Sequence, residues 1–390
     1  MVYGIHDYDV MFTDPVRTPA YLAAVARVVK PGDIVVEIGT GVGFFAVAAC
    51  RAGAKHVYAI EMNPSVAVAH QVLAANGCAD RVTVIQEQSS RVTLPERGDV
   101  LLEDMRGVLP LDGGHLAAVI DARARLLRDG AAIIPLRDTM WAAPCEAPTE
   151  FRNRHITPGD APFGIDRRPV AAHVRQDWYR FRSESAQLAA APVQWGAIDY
   201  AAVTSADLSG RAAWEINRPT TIDGVCVWFD TELAPGIGFS NSPAAPSALY
   251  AQAFFPLERS IAIFPGDALH TDFALKSVEG EYVFAWNTAH RPSGPGDRKP
   301  SKFRQSNLHA VMVAKGNLLR HRDDYRPQPS HATRLVSELL ALADGSRSLD
   351  EIARAIAVRH PQRFPTTVEA LRYAADCLAA LDDSGSAPAG

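Results

Sequence analysis

Three glutamates in the first 103 residues each stand at the end of a short apolar run, and that repeated placement is where chemistry could sit. Glu37 closes the run Ile34-Val35-Val36, Glu61 follows Val57-Tyr58-Ala59-Ile60, and Glu103 ends Val100-Leu101-Leu102. Open α/β sheets bind ligands beyond the carboxyl ends of their strands, so acids at these positions are placed to meet one. Glu61 lies where a carboxylate can take both hydroxyls of a ribose. Glu103, followed by Met105, can orient a polar group of a bound ligand or accept its proton. Further along the same stretch, LLEDMRGVLPLDGGHL, comes Asp112. It is either a second acid for the same acceptor or part of a plain Asp-Gly-Gly turn.

The elements that must position these acids are legible in VKPGDIVVEIGTGVGFFAVAACRAGAKHVYAIEMNP. A short apolar strand runs into a loop with Gly39, Gly41 and Gly43. A helix-like run from Phe44 to Arg51 follows, then a second strand from Val57 to Ile60. Glycines in such a turn let the backbone approach a ligand, because only glycine takes positive φ without cost.

Glu37-Ile38-Gly39-Thr40-Gly41-Val42-Gly43 resembles motif I of class I S-adenosylmethionine-dependent methyltransferases, in which an acid precedes GxGxG. Dinucleotide sites usually carry GxGxxG, and here Phe44-Phe45 follows Gly43 instead. Upstream, MFTDPVRTPAY resembles the N-terminal signature of protein arginine methyltransferases at Met11, Asp14, Arg17, Thr18 and Tyr21. In that family the arginine holds the methionine carboxylate of the cofactor, an interaction suited to a bidentate guanidinium. The resemblance, which spans residues 3 to 290, implies S-adenosyl-L-methionine as cofactor, with S-adenosyl-L-homocysteine as product. The implied cofactor set is Met11, Arg17, Glu37, Gly39, Gly41, Gly43, Glu61, Met62, Ser89 and Glu103. At the adenine turn this chain has Ser89-Ser90, so backbone contact at Ser89 is expected and a carboxylate is missing at Ser90.

The same resemblance gives Glu103, Met105 and Asp112 catalytic places and exposes a departure. The family's acceptor loop carries two glutamates that grip a guanidinium together. Glu103 matches the first, whereas Gly113 falls where the second belongs, with Asp112 beside it. The family's Thr-His-Trp loop falls near Ala248-Leu249-Tyr250, so its histidine is absent too. Alignment of nucleophile and methyl carbon supplies most of the catalysis in methyl transfer. These losses therefore point to a changed acceptor, an amine or imidazole, more than to lost chemistry. A bacterial protein arginine methyltransferase using Asp112 or a shifted loop is the first alternative. An inactive scaffold that binds cofactor and presents peptides is the second.

From about Trp141 the strand-helix alternation gives way to short alternating runs such as GVCVWFDTEL and EYVFAWNT between Pro/Gly turns, the pattern of an antiparallel barrel or sandwich. Gly238, Phe239, Ser240, Ser242 and Pro243 resemble a stretch of the arginine methyltransferase barrel. Phe163-Gly164-Ile165-Asp166 resembles that family's dimerisation arm, which implies a homodimer. After residue 326 helical spacing returns. Ser348 with Asp350 and Glu351 reads as a helix start, with Leu349, Ile352, Ile356 and Ala357 on one face, and a second helix runs from Thr367 to Leu381. Leu342 to Ala353 resembles the PqqD type of winged-helix peptide-binding domain. Arg334, Arg347, Arg354 and Arg359 could then meet an acidic leader peptide, the other reading being a small helical cap on the barrel.

The expected fold is therefore α/β: a Rossmann-like class I methyltransferase domain over residues 1–140, then an antiparallel β-barrel domain over 141–325, its dimerisation arm near 150–195, and a small winged-helix-like C-terminal domain over 326–390. The expected partner is a peptide or protein substrate, with a ribosomally made precursor peptide (RiPP biosynthesis) as the specific form. A chain of 390 residues with 47% hydrophobic and 21% charged residues suits two or three folded domains. The five cysteines are scattered without CxxC pairs, which gives no support to a metal site. A net charge of -5 argues against nucleic acid as the main partner. No apolar run reaches the roughly 18–20 residues of a membrane span, and the first residues are acidic where a signal peptide would be basic, so a cytoplasmic protein away from membranes is expected.

Overall fold

The computed structural model describes residues 4–147, 149–152, 164–182, 187–246, 249–294, 298–311 and 323–379. The chain divides into two compact units, Met1–Met312 and Val313–Gly390.

The first unit begins with α1 (Ile5–Phe12) and α2 (Arg17–Val28), then alternates β1 (Ile34–Ile38), α3 (Phe44–Ala52), β2 (His56–Ile60), α4 (Val66–Ala75), β3 (Val82–Ile85), β4 (Gly98–Glu103), α5 (His115–Arg125) and β5 (Leu127–Ile134). The five strands form a parallel sheet in the order β3-β2-β1-β4-β5. All five residues of β1 are buried, which is why its sequence is a continuous apolar run broken only by Glu37. The strand order reverses beside β1 and β4. That switch point is where such sheets open a crevice for ligands.

The antiparallel part starts earlier than the sequence pattern suggested, at β6 (Arg137–Cys145) rather than near Trp141. It continues through α6 (Arg168–Val174), β7 (Tyr179–Phe181), β8 (Val193–Asp199), β9 (Leu208–Glu215), β10 (Thr220–Ala234), β11 (Ile237–Ser240), β12 (Gln252–Ile263), β13 (Ala268–Val278), β14 (Glu281–Arg291) and β15 (Ser301–Ser306). One sheet runs β7-β12-β10-β6-β8, with β11 added on β10; the other runs β15-β14-β13-β9. Phe229, Phe255, Phe273 and Trp286 fill the space between them. Two indoles cross from the second sheet to the first: Trp214 Nε1 donates to Ala142 O at 3.1 Å and Trp286 Nε1 to Pro256 O at 2.9 Å. Each buries a large ring while satisfying its one polar atom, so neither leaves a donor unpaired in the core.

The second unit holds α7 (His331–Leu342), α8 (Leu349–Arg359) and α9 (Thr367–Ala379) around Leu335, Leu339, Ile352, Ala353, Ile356, Phe364, Ala370 and Ala374. Ser348 caps α8 as its sequence implied, with Glu351 returning a bond to the Ser348 N–H at 2.8 Å. Leu349, expected on the buried face, is instead exposed, because the first residue of the helix lies beyond the reach of the packed stripe. Among the described residues this unit has no strand.

Candidate functional site

The glycine loop and its acids stand at the carboxyl ends of β1, β2 and β4. Gly39, Gly41 and Gly43 all have positive φ, at 77°, 57° and 82°. At Gly41 the reason is steric as well as conformational. A Cβ there would lie 2.6 Å from Cε1 of Tyr8, the buried residue by which α1 is pinned across the loop. At Gly39 a Cβ would come 3.2 Å from Cγ of Met105. Glu61 is held from both sides: its Oε2 accepts from Gly41 N at 2.9 Å, and its Oε1 accepts from Asn63 N and Nδ2, both at 2.9 Å.

Glu37 is placed differently from the other acids. It is buried and accepts from Thr40 Oγ1 at 2.8 Å. Burial pushes its carboxyl up to about 8, partly offset by the Thr40 bond. Glu37 thus braces the loop from below. Ser89 is buried in a short 3-10 turn, and its carbonyl accepts from Arg125 Nη2 at 2.9 Å. Met62 is exposed just past Glu61.

Arg17 opens α2 and is buried against Tyr21 and Phe45, its guanidinium 5.4 Å and 5.1 Å from their ring centres. Its Nη1 donates to Met11 O at 3.2 Å and its Nε to Asp104 Oδ2 at 2.5 Å. Asp14 accepts from Val16 N and Arg17 N at 2.9 Å and 2.6 Å, closing the first turn of α2, and from Leu249 N. The loop containing Leu249 and Tyr250 is thereby tied to the N-terminal helices. Of the expected Thr-His-Trp position, Ala248 falls outside the described residues; Tyr250 donates to Asp104 at 2.9 Å and 3.0 Å.

Glu103 ends β4 directly opposite Ile38, the residue before the glycine loop. Its carboxylate is buried, with Oε1 2.9 Å from His115 Nε2 and Oε2 accepting from Met105 N at 3.2 Å. Among the described residues Asp112 makes no hydrogen bond to Glu103's partners, Met105 N and His115 Nε2. Asp112, Gly113 and Gly114 form the turn that starts α5, the Asp112 side chain is exposed and packs over Gly107, and its carbonyl accepts from His115 N at 3.1 Å. Asp112 thus lies in the Asp-Gly-Gly turn, where two successive left-handed glycines turn the chain, and α5 then carries His115 inward.

Sequence reasoning missed four residues that structure this site: Asp104, Arg106, His115 and Asp138. Arg106 is buried, donating to Asp104 at 3.1 Å, Asp138 at 3.0 Å, Thr231 Oγ1 at 2.7 Å and Tyr21 OH at 2.5 Å. It lies against the rings of Tyr21, Phe229 and Phe239. Tyr200 donates to the other oxygen of Asp138 at 2.6 Å. The guanidiniums of Arg17 and Arg106 hold Asp104 down at about 2 against the cost of its burial. His115 had a signal: it shares a helical stripe with the apolar Val119 and Ala122, so its burial followed from its spacing. Asp104 and Arg106 had none, since Asp104 is enclosed by Arg17 and Tyr250 and Arg106 by Asp138 of β6 and Thr231 of β10, all distant in the chain.

Two family models match the chain. Residues 17–103 match the ribosomal protein L11 methyltransferase family and residues 137–284 the arginine methyltransferase oligomerization subdomain. The chain is a protein arginine methyltransferase-like, S-adenosylmethionine-dependent methyltransferase. Among relatives, it is 27% identical over 293 residues to protein arginine N-methyltransferase 1 of Schizosaccharomyces pombe, covering 72% of this chain and 84% of that one. It is 29% identical over 292 residues to an arginine N(omega)-methyltransferase of Streptomyces achromogenes, covering 68% and 76%. The fold is that of Arabidopsis thaliana protein arginine methyltransferase 10, with a TM-score of 0.67 at 20% identity over 78% of this chain and 98% of that one. A Trypanosoma brucei enzyme-prozyme complex matches with the same score at 19% identity, again over 78% and 98%.

The residues of this methyltransferase fit its cofactor. The glycine loop leaves room that any Cβ would reduce, Glu61 sits at the end of β2, and among the described residues Arg17 Nη2 makes no hydrogen bond. The last point leaves one guanidinium nitrogen for a carboxylate even with Asp104 in place.

Proposed function

We propose that this methyltransferase methylates a nitrogen of a peptide, the specific form being a ribosomally made precursor peptide, and that the nitrogen belongs to an imidazole or amine. The observation that carries this reading is Glu103: a buried carboxylate at the end of β4, beside the glycine loop, whose partners among the described residues are His115 and Met105 N and no second acid. The bound cofactor supplies an electrophilic methyl carbon. Arg17, Met11, Gly39, Gly41, Gly43, Glu61, Met62 and Ser89 are the residues proposed to hold it, with Glu37 acting through the loop. Met105, packed over Gly39, shapes the wall between cofactor and acceptor. Glu103 accepts a hydrogen bond from the acceptor N–H and so aims the nitrogen lone pair. As the new N–C bond forms the methyl C–S bond breaks; an amine then sheds a proton from the methylated nitrogen, and an imidazole the proton on its other ring nitrogen, to Glu103 or solvent. Asp112 is left as a turn residue.

A second reading, methylation of a guanidinium, is supported by the names of the relatives. Methyl transfer assayed on peptides that differ only in a histidine, lysine or arginine separates the two: activity confined to arginine overturns the first. Cofactor titration must come first, and Arg17→Ala should weaken binding at least tenfold. No binding in the parent chain would leave only a non-enzymatic role.

We assign the homodimer to residues within the 137–284 match. We assign leader binding to the second unit, although three of its four candidate arginines already meet acids of their own unit: Arg347 with Asp344 at 2.6 Å, Arg354 with Asp350 at 2.5 Å and Arg359 with Glu338 at 4.0 Å. Unchanged affinity for the precursor after deletion of residues 331 to 390 would refute that role. Among the described residues no helix is long and apolar enough to cross a membrane.

A further inference from the structure

His115 is a buried ionisable group whose two ring nitrogens meet a backbone carbonyl and a carboxyl group. Its Nδ1 lies 2.8 Å from the carbonyl of Pro110 and its Nε2 2.9 Å from Oε1 of Glu103, with both side chains fully buried. A carbonyl can only accept, so Nδ1 carries a proton. The contact at Nε2 needs one more, placed either on the imidazole or on the Glu103 carboxyl. In both cases the pair carries no net charge, whichever atom holds the proton.

We propose that His115 is a positioning residue that sets acceptor class: by neutralising Glu103 it makes the site select a nitrogen nucleophile that is uncharged before attack, an imidazole in preference to a guanidinium. The inference rests on the reading that Glu103 faces the acceptor. A guanidinium held there would bury a positive charge with no net anion beside it, which is costly at low dielectric. A neutral imidazole carries no such cost and needs only one oxygen to orient its N–H, and Oε2 of Glu103, which among the described residues accepts from Met105 N alone, retains a lone pair for that purpose.

The groups around His115 do not restore the anion. Arg106 acts on it as a cation, Tyr200 packs its ring 5.5 Å away and donates to Asp138, and the Asp112 carboxylate on the preceding turn, which feels the charge of His115, is exposed to water that screens it. Burial is the largest single effect and opposes protonation, but the charge and hydrogen bond of Glu103 and the bond to Pro110 together outweigh it, so the proton affinity of the imidazole is raised. Counting the neighbouring network, the carboxylates Glu103, Asp104 and Asp138 are matched by Arg17, Arg106 and His115.

The test uses the full chain saturated with S-adenosylhomocysteine. ¹⁵N resonances of the His115 ring and the ¹³C resonance of the Glu103 carboxyl report the proton count of the pair. One proton beyond that on Nδ1 should be present from pH 6 to 8. A pair carrying a net negative charge at pH 7 overturns the proposal.

Binding of N-acetylhistidine methylamide and N-acetylarginine methylamide, read by NMR titration, then gives the selectivity. The parent should favour the histidine probe, and His115→Gln should shift the ratio toward arginine by about tenfold or more with cofactor affinity unchanged. His115→Lys, which keeps a cation, should hold the parent ratio, and serves if His115→Gln does not fold. An unchanged ratio in a folded His115→Gln overturns the role of His115. Failure of both probes to bind, or binding that Glu103→Gln does not weaken, overturns the Glu103 reading itself.

Discussion

Replacing Gly41 with alanine should uncouple α1 from the cofactor loop. The new Cβ would meet Tyr8 Cε1 at 2.6 Å and Cδ1 at 3.0 Å, whereas carbons in contact need about 3.5–4.0 Å, so the ring has to retreat by about 1 Å. Tyr8 is the buried residue of α1, and its hydroxyl also donates to Ser65 Oγ at 3.3 Å. When the ring moves, the helix moves with it. The left-handed backbone at position 41, with φ of 57°, adds about 1–2 kcal/mol of strain for alanine. Together these should weaken S-adenosylmethionine binding by at least tenfold, about 1.4 kcal/mol, in a calorimetric titration. Hydrogen exchange across residues 5–12 should accelerate. Gly39→Ala is the control: it carries the same kind of backbone strain, but its Cβ meets the flexible Met105 side chain at 3.2 Å, so exchange in α1 should stay at the parent rate. The double variant Tyr8→Ala/Gly41→Ala should bind cofactor no worse than Tyr8→Ala plus the strain term. Parent-like binding and exchange in Gly41→Ala would refute the reasoning, as would equal loosening of α1 in Gly39→Ala.

Two further predictions concern charge. Glu37 is raised to about 8 in the fold from about 4.3 in the unfolded chain, so its contribution favours the fold below the lower value and fades as pH climbs through the higher one. Urea midpoints should therefore fall between pH 5.5 and 8.5 in the parent and fall less in Glu37→Gln; parallel falls would contradict the assignment. Arg106→Met should cost roughly 3–5 kcal/mol because it strands Asp138 without its cation. Combining it with Asp138→Asn should cost less than the sum of the two single changes, by about 1 kcal/mol or more, and strict additivity in chemical denaturation would show that the pair is not coupled.

Much of the architecture is written in local pattern. The apolar runs closed by Glu37, Glu61 and Glu103 mark strand ends because a parallel sheet covered on both faces demands continuous burial, and a glycine-rich turn between the first two leaves few alternatives to a ligand loop. Ser348 and Glu351 fix the start of α8 for the same reason: their bonds are made within one turn. These are short-range constraints, and a sequence states them directly.

What the acids do once folded was decided by contacts between residues far apart in the chain. Glu37 and Glu61 read alike as sequence, yet one is sealed beneath Thr40 while the other takes the Gly41 amide at the rim of the loop. Asp112 reads either as a second acid beside Glu103 or as a turn residue; Gly113 and Gly114 turn the chain there, and α5 delivers His115 to Glu103. Arg106 looks like a solvated loop charge until β6 and β10 bring Asp138 and Thr231 to it. The sequence by itself determined β1, β2 and β4, the glycine loop between the first two, and the presence of Glu103 at a strand end. Only the tertiary structure decided which charges neutralise which, since burial removes the water that would otherwise screen every one of them.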